Sequence, residues 1–193
     1  MTEYTDIAYS PLSAGGSMVL LQEQEASSSA TISFTSGIDS TYKEYVFKFN
    51  KVSSSVDGGM ITINGSIDAG SNYNVAKTTT FFAAQHNEAD DDTDLGYNTS
   101  KDVAQDTEEA IISYGTGNAA DEIVDGYLHL YNPASTTFVK HFIGNANTKH
   151  QSDYSIQSLV AGYFNTTSAV NAIQFKMDQG NMDTGTIKLY GVN

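Results

Sequence analysis

Three aspartates at alternate positions, Asp90, Asp92 and Asp94, form the pattern in this sequence that most resembles a metal site. Calcium takes roughly six to eight oxygen ligands, and an EF-hand loop has a glycine at its sixth position and a glutamate at its twelfth. Here Leu95 is sixth and Lys101 is twelfth, so the EF-hand pattern fails. We interpret the stretch as a solvated acidic loop that binds no metal, with an ion held between chains as the alternative.

Histidines are the other residues that could ligate a metal or transfer a proton. His129 and His141 fall in neighbouring predicted strands and could share a face, where two imidazoles and a carboxylate would form a metal or acid–base site. No HxH or HExxH spacing supports such a site. We therefore interpret all four histidines as half-buried rings with one satisfied nitrogen. The other two are His86 and His150.

The remaining chemical motifs are missing or incomplete. Cysteine is absent, which removes thiol nucleophiles, thiolate zinc sites and disulfides. No G-x-S-x-G elbow occurs, although serine is abundant. The stretch at residues 114–118 is rich in glycine but has no P-loop lysine, so we interpret it as a turn. These observations predict a protein that is not an enzyme and requires no cofactor.

A row of tyrosines suggests a different kind of site. Carbohydrate-binding modules stack sugar rings on exposed aromatic faces, and four tyrosines here could serve in this way. The chain has no tryptophan, the usual platform, and tyrosines at the edge of a core equally leave their hydroxyls in water. A module that recognises a host glycan therefore stands as the alternative function. The four residues are Tyr127, Tyr131, Tyr154 and Tyr163.

The charge of the chain excludes several partners. The formal net charge is −14, and all nine basic residues are lysines. Arginine is the usual choice for forked contacts to phosphate and guanine, and an acidic surface is repelled by DNA and by anionic lipid. No apolar run approaches the roughly 20 residues of a membrane helix, and no signal peptide is evident at residues 18–21. We expect synthesis in the cytoplasm, no membrane insertion and no nucleic-acid partner.

Alternation of apolar and polar residues predicts an all-β protein. Residues 171–193 form the clearest example, with Ile173, Phe175 and Met177 on one face of a closing hairpin. Residues 42–52 are the strongest strand, and TTTFFAA at residues 78–84 fits a strand buried on both faces or one with a bulge. The count is nine or ten strands. We predict two antiparallel sheets around one core, of jelly-roll type.

Two segments are predicted to lie outside this regular pattern. Residues 87–125 hold most of the acidic side chains and should be an exposed loop with one short strand at 110–114, because unpaired carboxylates are costly to bury. Residues 144–153, GNANTKHQSD, are predicted to be a polar loop. Both stretches would connect the strands of the sandwich.

The first 29 residues differ in composition from the rest. They contain one short apolar run, a glycine pair and a serine run, which favours an extended arm or linker before a single β domain at residues 30–193. The alternative is a first strand at residues 17–22 that packs on the domain. If the segment is an arm, its apolar side chains would attach it to a partner: Tyr4, Ile7, Tyr9, Val19, Leu20 and Leu21.

Several stretches resemble a family of small proteins of marine tailed bacteriophages, cyanophages above all. The likeness runs from about residue 30 to the end of the sequence, and its most specific part is NAIQF at residues 171–175 followed by GTIKLYG at 185–191. The other stretches begin at residues 30, 68, 128 and 160: ATISFTSGIDSTYKEYVFKFNKV, DAGSNYNVAKTTTFFAAQHNE, LHLYNPASTTFVKHF and VAGYFNTTSAVNAIQFKM.

The resemblance implies a jelly-roll component of the virion, either a tail appendage or fibre protein or a decoration of the head. Such modules are typically trimeric, and the family implies no catalytic residue. Under this interpretation residues 1–29 contact other virion proteins and the β domain faces outward, where the loops of 87–125 could touch a host glycan or protein. An acidic domain without cysteine would also avoid the packaged genome.

Overall fold

The computed structural model describes residues 18–193, which form two antiparallel β-sheets packed face to face and contain no helix. The predicted all-β antiparallel sandwich is confirmed. The described residues hold 13 strands rather than nine or ten, and the jelly-roll topology stays a prediction. The strands are β1 (Met18–Glu25), β2 (Ile32–Phe34), β3 (Glu44–Val52), β4 (Ile61–Ser66), β5 (Lys77–Asn87), β6 (Thr93–Tyr97), β7 (Ala104–Asp106), β8 (Ala110–Ile111), β9 (Val124–Tyr131), β10 (Lys140–His150), β11 (Tyr154–Phe164), β12 (Ala172–Met177) and β13 (Thr186–Val192).

The two sheets differ in size. The larger sheet has the order β1-β13-β3-β9-β10-β11-β5-β6, and β7 also pairs with β5. The smaller sheet has the order β2-β12-β4-β8. The closing hairpin predicted at residues 171–193 does not form, because β12 lies in the smaller sheet and β13 in the larger one. Apolar and polar residues therefore alternate in both strands because each strand belongs to a different sheet and both sheets face the same core.

Aromatic rings fill the centre of the core between the sheets. Phe175 of β12 packs edge to face against Phe47 and Phe49 of β3 and against Phe34 of β2, with ring centroids 5.0, 5.2 and 6.2 Å away. All four rings are buried. Phe34 also packs edge to face on Phe47, with centroids 5.3 Å apart. Edge-to-face contacts suit the quadrupoles of the rings, so Phe34 and Phe175 of the smaller sheet join it to β3 of the larger sheet.

The segment predicted as an arm is partly a strand. Residues 18–25 form β1, which pairs with β13 along its whole length, from Met18 opposite Val192 to Glu25 opposite Thr186. This part of the predicted arm of residues 1–29 is therefore integral to the β domain. It corresponds to the alternative of an early strand. Period-two polarity is weak in MVLLQEQE because β1 is an edge strand whose outer side chains face solvent.

The stretch predicted as a polar loop at 144–153 is mostly strand. β10 continues through it to His150, paired with β9 on one side and β11 on the other, and only residues 151–153 form the turn. In this part of β10 the inward positions hold the small residues Gly144, Ala146 and Thr148, while asparagines face outward. The alternation of apolar and polar residues is weak here because the inward positions hold small residues rather than large apolar ones.

The acidic segment is largely exposed from Glu88 to Glu108, as predicted. It is not simply a loop, because β6 and β7 lie within it and both pair with β5. Glu122 is buried, and its carboxylate accepts a hydrogen bond from the Ala119 backbone N–H at 2.8 Å. The buried carboxylate is thus compensated, in keeping with the cost of burying a bare charge.

Two buried lysines flank Phe164 at one end of the sandwich. Lys140 and Lys77 lie directly opposite Phe164 on its two neighbouring strands, and all three side chains are fully buried. The Lys140 Nζ donates hydrogen bonds to the carbonyl oxygens of Phe138 and Thr166, at 2.7 and 3.0 Å. An ammonium group needs such partners because its desolvation is costly.

Lys77 makes the corresponding contacts on the other side of Phe164. Its Nζ donates to the carbonyl oxygens of Thr107, at 3.3 Å, and Glu108. Burial lowers the pKa of Lys77 to about 8, although the negative charges of Glu109, Asp106 and Glu108 oppose this shift. Each lysine therefore ties loop backbone to the end of the sandwich.

Truncation of Phe175 tests the aromatic cluster. We expect Phe175→Ala to lower the free energy of unfolding by about 3–5 kcal/mol, because it leaves a cavity among three rings. Phe138→Ala is the matched control, since that ring is 67% exposed, and it should change stability by no more than about 0.5 kcal/mol. Urea denaturation followed by circular dichroism measures both. Equal effects of the two substitutions would contradict the proposed role of the cluster.

Removal of Lys77 tests the buried ammonium group. The pKa is about 8 in the folded chain and 10.5 as its ordinary value, so the unfolded chain binds more protons between these pH values. The stability of the wild type relative to Lys77→Met should therefore increase by up to about 3 kcal/mol as the pH rises from 8 to 10.5. Urea denaturation at several pH values gives this difference.

The matched control for this series is Lys43→Met, which removes an exposed ammonium group. The stability difference between this variant and the wild type should stay constant over the same pH range. A constant difference for Lys77→Met as well would show that its ammonium group is not buried in the folded chain.

Candidate functional site

The outer face of the larger sheet is unusual because it is apolar. Ile143, Leu159 and Phe82 lie on β10, β11 and β5 and are 50%, 43% and 43% exposed. Tyr97 and Leu95 on β6 are 44% and 74% exposed. The outer side of an antiparallel sheet that faces water is normally polar. We call these five residues the apolar patch.

A groove lies beside the apolar patch at one end of the same face. It has a volume of about 350 Å³ and is lined by the rings of Tyr131, His141 and Tyr163. Thr80 and Ala161, which are small, form its floor together with the neighbouring backbone. A concave surface with aromatic walls and a flat floor can accept the face of a planar or ring-shaped ligand.

Register explains why these rings meet. β9, β10 and β11 are neighbours, so outward residues near their ends fall in one row. His141 lies directly opposite Tyr163, and their ring centroids are 5.8 Å apart. Burial raises the pKa of Tyr131, and the negative charge of Glu44 adds to the shift. The Tyr131 hydroxyl therefore stays protonated and can donate a hydrogen bond.

The two histidines singled out from the sequence do share this face. His129 Nδ1 is hydrogen-bonded to the Glu44 carboxylate and its ring stacks on Tyr131, with centroids 6.1 Å apart. His141 contacts Tyr163 instead. Across residues 18–193 no group of three or more histidine, aspartate or glutamate side chains is arranged to hold a metal ion. The pair lines an aromatic surface and shares no carboxylate.

The three alternating aspartates contact or lie opposite different residues. His86 Nε2 contacts the Asp90 carboxylate at 3.0 Å, and the Tyr154 hydroxyl donates to Asp92 at 2.7 Å. Asp94 lies on β6 opposite Gln85. Asp90 and Asp92 belong to the turn between β5 and β6, where they fix the backbone and the end of β11. This arrangement fits the interpretation of a solvated acidic turn.

The four candidate sugar-stacking tyrosines separate into two groups. Tyr131 and Tyr163 line the groove, and Tyr127 lies on the same face one row away along β9. Tyr154 lies at the far end of β11, where its bond to Asp92 raises its pKa. Three of the four therefore share a face, and two line one groove.

The residues predicted to attach the protein to a particle also separate. Val19 and Leu20 are exposed on the edge strand β1, at 37% and 50%, whereas Leu21 packs against the core. Leu21 is therefore committed to the fold of its own domain. The other three predicted attachment residues lie outside the described residues. They are Tyr4, Ile7 and Tyr9.

Sequence reasoning missed the apolar patch, although part of its signal was visible. TTTFFAA was predicted to be a strand buried on both faces or one with a bulge. The structure shows a regular strand with Phe81 buried and Phe82 on the exposed side. No element of residues 18–193 covers that side. Apolar residues therefore occur on both faces of this strand, but within residues 18–193 only the inner face is covered.

Comparison with known proteins gives no relative: no family model, curated protein or solved structure matches the chain. The part of the chain that the structure describes contains no helix of the length and hydrophobicity needed to cross a membrane.

Proposed function

We propose that this protein is a non-enzymatic structural protein of a tailed bacteriophage particle, either a tail appendage or fibre protein or a decoration of the capsid surface. It is made in the host cytoplasm and then resides in the virion. The observation that supports this role best is the exposed apolar face of the larger sheet, because large exposed apolar surfaces mark sites of protein–protein contact. The remaining surface is strongly acidic, which keeps an abundant component soluble.

The positions of the phage-like motifs agree with this proposal. NAIQF ends in Phe175, the centre of the aromatic cluster, and GTIKLYG forms most of β13, which lies between β1 and β3. Both motifs therefore build the core rather than a ligand site. Stretches shared for the sake of the fold are what a family of structural modules would retain, since each module needs the same core and different surroundings.

The partners in this proposal are other virion proteins and further copies of the same chain, with a homotrimer as the assembly implied by the resemblance. Attachment is assigned to the residues before β1, together with exposed Val19 and Leu20 at its start. Leu21 has no part in it, because its side chain contributes to the core. The β domain then faces outward from the particle.

Particle labelling tests the proposed role. Purified phage particles from a host culture that expresses the gene should contain the protein in a fixed ratio to the major capsid protein, measured by quantitative mass spectrometry. Gold-labelled antibody should then mark one location on the particle. A protein found only in the fraction that does not sediment with particles would rule out the virion role.

Deletion of residues 1–17 tests the attachment site and leaves β1 intact. The truncated protein should keep its thermal unfolding temperature and lose most of its binding to particles that lack the protein. The full-length chain is the control. Undiminished binding of the truncated chain would place the attachment site on the β domain instead.

A second function, recognition of a host glycan, is favoured by the groove of Tyr131, His141 and Tyr163. Sugar rings stack on aromatic faces, and the hydroxyl of Tyr131 can donate to a sugar oxygen. The groove volume of about 350 Å³ lies at the lower end of the range of small-ligand sites. This function is compatible with a virion protein that contacts the host surface.

A glycan array with two tyrosine variants tests this second function. If the groove binds a glycan, Tyr163→Ala should weaken binding by up to about 10-fold, since one aromatic contact is worth about 0.5–1.5 kcal/mol. Tyr127→Ala is the matched control, because that ring lies on the same face outside the groove. No binding by the wild type, or an equal loss in both variants, would count against the groove.

A further inference from the structure

We propose that the apolar patch is covered by a second copy of this chain, so that the outer face of the larger sheet is the surface through which the protein self-associates. The proposal rests on the particle role for its biological setting and deepens it by naming the partner of one surface.

The two outer faces of the sandwich differ in kind. On the smaller sheet, the outward side chains are polar: Gln174 and Lys176 are half-buried, and Thr62 is buried. On the larger sheet, the outward rows carry the apolar patch, with Leu159 opposite Phe82 and Phe82 opposite Tyr97. The outer side of the larger sheet carries these exposed side chains within residues 18–193, so contact with solvent alone does not explain them. The exposed apolar side chains therefore indicate that another molecule covers the outer side of the larger sheet.

Charge limits what can cover it. Each copy carries a net charge of −14, so two copies repel wherever their carboxylates meet. Among the outward side chains of β10, β11, β5 and β6, Lys149 near the end of β10 is the single lysine, and no aspartate or glutamate is present. The Lys149 ammonium group is already paired with Asp121 and Asp153, at 3.5 and 3.2 Å. A basic partner would find no counter-charge here, whereas a second acidic copy can approach this face without placing carboxylate against carboxylate. The apolar patch at the centre of this face therefore carries no charge that would oppose a second acidic copy.

The polar side chains that remain on the face are compatible with burial. Gln157 donates to the side-chain oxygen of Asn145 at 3.3 Å, and Asn147 donates to the Ser155 hydroxyl at 3.0 Å. These groups are uncharged and already partly satisfied by one another. Covering them therefore costs less than covering groups that depend on water alone.

The area is sufficient for a stable contact. Five strands, from β9 to β6, span about 24 Å at about 4.8 Å per strand, and the three strands of 11 residues are about 37 Å long. The face thus offers up to about 900 Å², close to the roughly 800 Å² per partner of a standard interface. Charged residues such as Asp125 and Lys48 lie outside the apolar patch, as in the polar rim of an interface.

Light scattering coupled to size-exclusion chromatography tests the proposal with the full chain. At about 10 µM, where a contact with a Kd of about 1 µM is well populated, the wild type should have a mass that is a multiple of 20.7 kDa. Leu159→Glu and Ile143→Glu each add a carboxylate to the neutral face and should reduce the mass to 20.7 kDa. Both side chains are exposed, so circular dichroism should remain unchanged.

The matched control is Phe138→Glu, which adds the same charge at an exposed aromatic residue of the loop before β10. It should keep the mass of the wild type. A monomeric wild type, or an oligomer that survives both Leu159→Glu and Ile143→Glu, would overturn the proposal. A monomer that still labels the particle would keep the virion role and assign the apolar patch to another particle protein. An oligomer absent from particles would refute the virion role alone.

Discussion

The cost of burying an ammonium group is the constraint on which one end of the sandwich depends. Lys77 and Lys140 enter the core on either side of Phe164, and each Nζ must find carbonyl oxygens there. Loops that would otherwise be free, around residues 107–108 and 166, supply these oxygens. Because a buried ammonium group without partners costs several kcal/mol, these hydrogen bonds oppose movement of the loops away from the core. The two lysines thus anchor loops to the ends of β5, β10 and β11, the three strands that contribute to both the groove and the apolar patch.

Small residues allow this end of the core to close. Gly65 of the smaller sheet faces Phe164, and a Cβ atom at this position would lie 3.0 Å from the ring. The ring can therefore approach the opposite backbone and exclude water from the two lysines beside it. A larger side chain at residue 65 would push the sheets apart where the ammonium groups most need a dry, well-packed setting. The small size of Gly65 is therefore one of the conditions that allow Lys77 and Lys140 to be buried beside Phe164.

Much of the fold was readable from the sequence, because alternation directly reports a sheet with one buried face. It identified β3, β12 and β13 and the sandwich class. It failed in β10, where inward positions hold Gly144, Ala146 and Thr148, and it could not show that β12 and β13 join different sheets. The candidate site was only partly predictable. His129 and His141 were placed on one face, but the pairing of Glu44 with His129 depends on strand order, which alternation does not encode.

The place of β13 in the larger sheet has a consequence for biogenesis. Met18 pairs with Val192, and the same strand also pairs with β3, near the middle of the larger sheet. β1 and β3 therefore have no partner between them until residues 186–192 have been synthesised and have left the ribosome. Pairing between such distant segments is slow, since the chain must close a long loop before any contact forms. Until then the unpaired edges of β1 and β3 and the exposed apolar patch are open to contacts with other chains.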